Sequence, residues 1–186
     1  EDLALDEVSN SFPAGAVVAT HLLDAAGVLN AAPVLVVMPN DTLLGKYRAK
    51  FAGRLGMLEE YPAKPDRGPG FAGANDVIDS DSLLQMMNHD PAVRVDERAF
   101  LRARLMDMMF NDRDRHPKQW KWARFDTLAA GWQPIARDRD KAFISRSGLL
   151  PGLASLAMPY LMKFTGTYGS MAGLRSEARH NGTACR

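Results

Sequence analysis

Two short runs concentrate the groups that could do chemistry: Asn111-Asp-Arg-Asp-Arg-His116 and Arg137-Asp-Arg-Asp140. Asp112, Asp114, Asp138 and Asp140, with Gln119 between the runs, offer hard oxygen ligands of the kind that Mg²⁺ or Mn²⁺ prefers. Sites that move phosphoryl groups need one carboxylate to orient a hydroxyl nucleophile and others to hold metal against phosphates. Arg113, Arg115 and Arg137 beside them would keep the acids ionised or help neutralise phosphate. The same Asp-Arg alternation also suits a solvated turn laced with ion pairs, and spacing alone does not separate the two. Trp120, Trp122 and Trp132 read as hairpin core rather than as a stacking platform for a ligand.

The flanking sequence predicts how these runs are positioned. Asp96 is a good helix N-cap, with Val95 placed to staple against Phe100. Leu101, Leu105, Met108 and Met109 follow at helical spacing and predict an inward apolar stripe. That helix leads straight into the first run. Gln119-Trp-Lys-Trp-Ala-Arg-Phe125 alternates as a half-buried strand does, residues 126–131 make a turn, and Trp132-Gln-Pro-Ile-Ala136 returns as its partner. Both polar runs therefore fall at one end of a hairpin.

Upstream, Pro13 sits in the first turn of a predicted helix whose apolar face is Ala14, Val18, His21, Leu22 and Ala25, closed by Gly27. His21 on that face reads as a packed histidine, and His89 as a surface one. Ala32 to Met38 predicts a short buried strand, Asn40-Asp41 opens another helix, and Leu55 to Tyr61 predicts a second strand. The proline- and glycine-rich residues 62–75 read as a linker or hinge. Asp79 or Ser80 caps a short helix ending near Pro91. Beyond Gly148 a short apolar helix interrupted by Pro159 is expected.

Composition narrows the partners. With 46% hydrophobic and 24% charged residues the chain is of ordinary globular type, and its net charge of +1 gives no electrostatic case for nucleic acid or an anionic membrane. The lone Cys185 can form no internal disulfide, and there is no Cys/His zinc spacing. No stretch approaches the roughly 18 apolar residues that span a bilayer. Glu1 is neither an initiator Met nor the start of a signal peptide, which predicts a piece of a longer protein.

The loop Asp114-Arg-His116, followed by Gln119 and by Asp138-Arg-Asp-Lys-Ala-Phe143, resembles the catalytic core of atypical kinases of the HipA-like, lipid-kinase and secretory-pathway casein-kinase group. The resemblance implies Asp114 as the catalytic aspartate with His116 as its structural support, Gln119 as a metal-side ligand, Asp138 as main metal ligand and Asp140 as the second acid, with Mg²⁺ (or Mn²⁺) and ATP as cofactors. Arg139 departs from the family pattern, which has an apolar or small residue there. Phe51-Ala-Gly-Arg-Leu-Gly-Met-Leu-Glu-Glu60 and Arg94-Val-Asp-Glu-Arg-Ala-Phe-Leu-Arg-Ala-Arg104, together with both acidic loops, look like one family of bacterial envelope proteins. In that family a kinase-like segment sits beside a metallophosphoesterase-like region and an outer-membrane surface-antigen β-barrel.

The implied fold is α+β and protein-kinase-like: a partial small lobe and hinge over residues 1–61, then a mainly helical large lobe over residues 62–186, with a β-hairpin carrying the site. The implied setting is the bacterial cell envelope, with a nucleotide as ligand, an outer-membrane β-barrel as a covalently linked neighbour, and no nucleic acid or membrane contact by this segment. Lys46 and Lys50 fall in a helix rather than on a phosphate-clamping strand, and no glycine-rich loop precedes the first helix. Both elements would lie upstream, so these residues alone are expected not to phosphorylate a substrate. The alternative is a non-enzymatic, kinase-shaped structural or interaction module. A metal-dependent phosphoesterase ranks last, since such sites draw on several histidines and only His116 lies near the acids.

Overall fold

The computed structural model describes residues 12, 14–68, 70–112, 115–125 and 131–144. The expected apolar helix beyond Gly148 lies outside them. The described chain is α+β, with four α-helices and two small antiparallel sheets. Helix α1 spans Gly15–Ala25, strand β1 Val34–Val37, helix α2 Arg48–Phe51 and strand β2 Leu55–Leu58. Strand β3 (Asp76–Asp79), helix α3 (Ser80–His89) and helix α4 (Glu97–Met109) follow, and strands β4 (Trp120–Arg124) and β5 (Gln133–Ala136) close the described part.

The larger sheet has the order β3-β4-β5. Trp120 pairs with Ala136 and Trp122 with Pro134, so both strand ends next to the polar loops coincide. Alternation sorts the side chains. Trp120, Trp122 and Ala136 face a core built with Leu23, Leu83, Ala103 and Phe110, while Ala123, Val77 and Ile135 face a second one with Phe71 and Ala74. Phe100 packs between the two indoles, with ring centroids 5.5 Å from each. The Trp122 indole N–H donates to Ser80 Oγ at 3.0 Å, and Ser80 donates to the Pro117 carbonyl at 2.9 Å, so the polar atoms of both side chains are satisfied.

Helix α4 is held at both ends. Asp96 caps it, its carboxylate accepting the Ala99 N–H at 2.9 Å. The backbone around the cap is sewn to the start of β5 by Trp132 N–H to Arg94 carbonyl (2.8 Å) and Asp96 N–H to Trp132 carbonyl (2.9 Å). Only glycine fits beside this seam, since a Cβ on Gly131 would lie 2.6 Å from the Arg94 carbonyl oxygen. Helix α1 comes as near to the loop after β5, where a Cβ on Gly15 would meet the Ala142 carbonyl oxygen at 2.7 Å.

Several faces differ from those the sequence predicts. Helix α1 buries Ala16, Ala19, Thr20 and Leu23, leaving Val18, Leu22 and His21 exposed, so His21 is not a packed histidine. Helix α4 turns Ala103 and Asp107 inward, and Leu101, Leu105 and Met109 are exposed. Strand β1 forms where expected but is not buried: it pairs only with β2, and Val37 and Leu55 are 62% and 67% exposed. Asn40-Asp41 opens a 3-10 turn, Thr42–Tyr47, capped by Asp41, before α2. Within the stretch read as a linker or hinge, Pro62, Phe71 and Ala74 are buried, Phe71 and Ala74 in the core shared with Val77, Ala123 and Ile135.

Candidate functional site

The loop after α4 begins with a left-handed residue, Asn111 (φ 54°), which reverses the chain at the helix end. Asp112 N–H then donates to the Asp107 carbonyl at 2.9 Å, tucking the Asp112 side chain under the helix. Asp107 and Asp112 are completely buried, and Arg115 and Arg139 nearly so. Isolated, these charges would be prohibitive in the interior; here each meets an opposite one. Arg139 Nη1 contacts Asp107 Oδ1 directly and lies 3.1 Å from Asp112 Oδ2. Arg115 Nη2 lies 3.0 Å from the same Asp112 oxygen, and Arg104 pairs with Asp107 one helical turn away. Three guanidiniums meet two carboxylates, leaving one positive charge in excess among the five.

Burial pushes the Asp107 carboxyl up, opposed by the charges of Arg139, Arg115 and Arg104. Burial likewise pushes Arg115 down, with Asp112 pulling it back. Arg115 also reaches the other loop, donating to the carbonyls of Arg137 (2.6 Å) and Asp138. The backbone joins the loops as well, through Arg137 N–H to the Gln119 carbonyl at 3.2 Å and Phe143 N–H to the Phe110 carbonyl at 2.7 Å.

The residues singled out in the sequence take different places. Asp114 and Arg113 lie outside the described residues. His116 is exposed and its carbonyl accepts the Gln119 N–H at 2.9 Å across the 3-10 turn Pro117–Gln119, while Gln119 is buried. Asp138, in a left-handed conformation (φ 53°), and Asp140 are both exposed, on either side of buried Arg139. Arg139 thus takes an inward position where a long cation meets buried acids. Partial burial, then the charge of Asp138, raises the Asp140 carboxyl, and Lys141 sits 3.5 Å from it. Among the described residues no group of three or more His, Cys, Asp or Glu side chains is placed to hold a metal ion.

Glu59 belongs to this region and carries no local signal in the sequence. It follows β2, takes a hydrogen bond from the Asp138 backbone N–H and lies 3.9 Å from Arg137 Nε. Burial raises its carboxyl in spite of those partners. Two residues on, the Tyr61 ring receives Arg137 at 4.4 Å and Lys121 at 5.2 Å from its centroid. Tyr61, Asp79, Asp81, Lys118, Lys121 and Arg137 line a cleft of about 320 Å³ that opens beside both loops. Its mixture of an aromatic face, cations and acids suits a polar ligand with a planar part. A second cavity, about 230 Å³ and almost wholly apolar, lies behind it between α3, α4 and the indoles of Trp120 and Trp122.

Compared with known proteins, the chain matches no protein-family model and no curated protein sequence. No helix among the described residues is long and apolar enough to cross a membrane.

Proposed function

We propose that this chain is the nucleotide- and metal-binding part of a kinase-like phosphotransferase, acting on a hydroxyl acceptor. The observation that carries the reading is the meeting of the two acidic loops at one end of the β4–β5 hairpin, cross-linked to each other and bordered by the cleft under Tyr61. Mg²⁺ characteristically takes one or two protein carboxylates and completes its shell with water and substrate phosphates. Asp138 and Asp140, both exposed on one short loop, suit that donor set; the resemblance assigns Gln119, which is buried, to the metal side. The metal would supply neutralisation of phosphate charge. In this reading Asp114 orients the acceptor hydroxyl and His116 supports the loop. Lys121 and Arg137, which lie over the Tyr61 ring, would take polar groups of the nucleotide in the cleft.

The test is calorimetric titration of Mg-ATP, with a transfer assay, on the full-length protein and two variants of it. Asp138→Asn is expected to weaken Mg-nucleotide binding, whereas Asp114→Asn should leave it nearly unchanged and remove transfer. Equal binding by wild type and both variants would end this assignment of roles.

A second reading is a kinase-shaped interaction module of an envelope protein, in which the acids are remnants. The exposed apolar side chains of β1 and β2 favour it, since patches of that kind mark contact surfaces. A folded protein that binds neither Mn²⁺ nor Mg-ATP would decide for this alternative.

A further inference from the structure

We infer that Asp107 and Arg139 are positioning residues: their buried pair, with Asp112 and Arg115, fixes the loop after β5 against the loop after α4 and so sets where Asp138 and Asp140 stand. The value of that arrangement to metal binding rests on the reading given above; the mechanical pinning does not.

The connections run in both directions. Arg115, from the first loop, reaches the backbone of the second at Arg137 and Asp138. Arg139, from the second loop, reaches back to Asp112 in the first loop and to Asp107 on the helix. Each loop therefore holds the other, and both are referred to α4, whose N-terminus is sewn to β5. Because Arg139 is drawn inward, its neighbours Asp138 and Asp140 are presented outward on either side.

The cluster is not what stability alone would select. Well-packed apolar residues are often at least as stabilising as a buried ion network. Several of its polar atoms, including Asp112 Oδ1, Arg115 Nε and Arg139 Nε and Nη2, have no hydrogen-bond partner among the described residues. Arg104 supplies an internal control. It pairs with Asp107 from the same helix and connects neither loop to the other.

The experiment combines Mn²⁺ binding, followed by the loss of the free-ion paramagnetic resonance signal, with urea unfolding and amide exchange over residues 137–143. Proteins compared are wild type, Asp138→Asn, Asp107→Asn, Arg139→Met, Arg139→Lys and Arg104→Met. Removing a partner that orients a metal ligand typically lowers affinity about 10–100-fold. Arg139→Met and Asp107→Asn are expected to lose affinity by that factor while still folded, and to exchange faster over 137–143. Arg139→Lys should fall between them and wild type, and it replaces Arg139→Met if that variant does not fold. Arg104→Met should lose stability yet keep wild-type Mn²⁺ affinity and loop exchange. Wild-type affinity and unchanged loop exchange in both Asp107→Asn and the Arg139 variant would overturn the inference. If wild type binds no Mn²⁺, or Asp138→Asn binds it equally well, the metal reading fails. The pinning then stands or falls on the exchange data alone.

Discussion

The chain contains two antiparallel strand pairs made from similar ingredients, and they end in opposite circumstances. The β4–β5 pair carries Trp120, Trp122, Ala123 and Ile135, and all four are buried because α1, α3 and α4 lie over one face while Phe71 and Ala74 cover the other, which Val77 of β3 extends. The β1–β2 pair carries Val34, Leu35, Val37, Leu55, Met57 and Leu58, and all six are exposed. Strand propensity decides that both segments extend and pair; it does not decide what covers them. An isolated two-stranded ribbon is marginal in water, whereas a third strand and packed helices make the other pair a unit. The structural centre of gravity, and with it the candidate site, therefore belongs to the β4–β5 end.

Substitutions can sharpen or break this contrast. The largest effect is expected from Asp107→Leu, which strands Arg139 and Arg104 beside an apolar side chain. Breaking one partner of a buried ion pair costs about 3–5 kcal/mol, to be read from urea unfolding. A loss as small as that of a surface change would mean that the network lies outside the cooperative core. Leu23→Ala, at a fully buried core position, should cost about 2–5 kcal/mol in the same assay. Asp79→Ala removes the cap of α3, whose carboxylate accepts the Ser82 N–H at 2.8 Å, and should cost about 1 kcal/mol.

That last effect has a pH signature. Hydrogen bonds from the Ser82 backbone and hydroxyl hold the Asp79 carboxyl below its usual value of 3.8. A depressed carboxyl stabilises the fold above its unfolded pKa, and the contribution is lost as pH falls through the lower folded value. Wild type and Asp79→Ala should differ in urea midpoint at neutral pH and converge in acid; a gap that persists below that range would argue against the cap. The smallest effect is expected in the exposed ribbon, where Val37→Thr should change stability by no more than about 0.5 kcal/mol. A large loss there would show that β1 is covered in solution.

The parts of the fold most legible in the sequence were those with short-range rules. Caps at Asp79 and Asp96 and the alternation of Trp120 and Trp122 placed α3, α4 and the hairpin, and with them both polar loops at one end. The inner face of α4 was only partly legible: beside Phe100 and Met106 it is made of Ala103 and Asp107, while Leu101, Leu105 and Met109 point to solvent. An aspartate enters a core only when arginines from elsewhere in the chain meet it, and periodicity contains no such information. Strand β3 was missed for a related reason: Asp76-Val-Ile-Asp79 is too short and too acidic to read as a strand until Val77 and Ile78 are seen beside Ala123 and Trp122. Glu59 was missed because its contacts with Arg137 and Asp138 are set by tertiary structure alone.

The clustering of the indoles has an optical consequence. All three tryptophans of the chain lie in one buried cluster, with Phe100 between two of them. Intrinsic fluorescence therefore reports a single region of the molecule, the junction of α4 with the three-stranded sheet. Emission should shift to the red in one step as that region opens, while rearrangement of the β1–β2 ribbon leaves the spectrum unchanged. A ligand entering the apolar cavity beside Trp120 and Trp122 would quench or shift that same signal, so the protein carries its own dye for the core that supports the site.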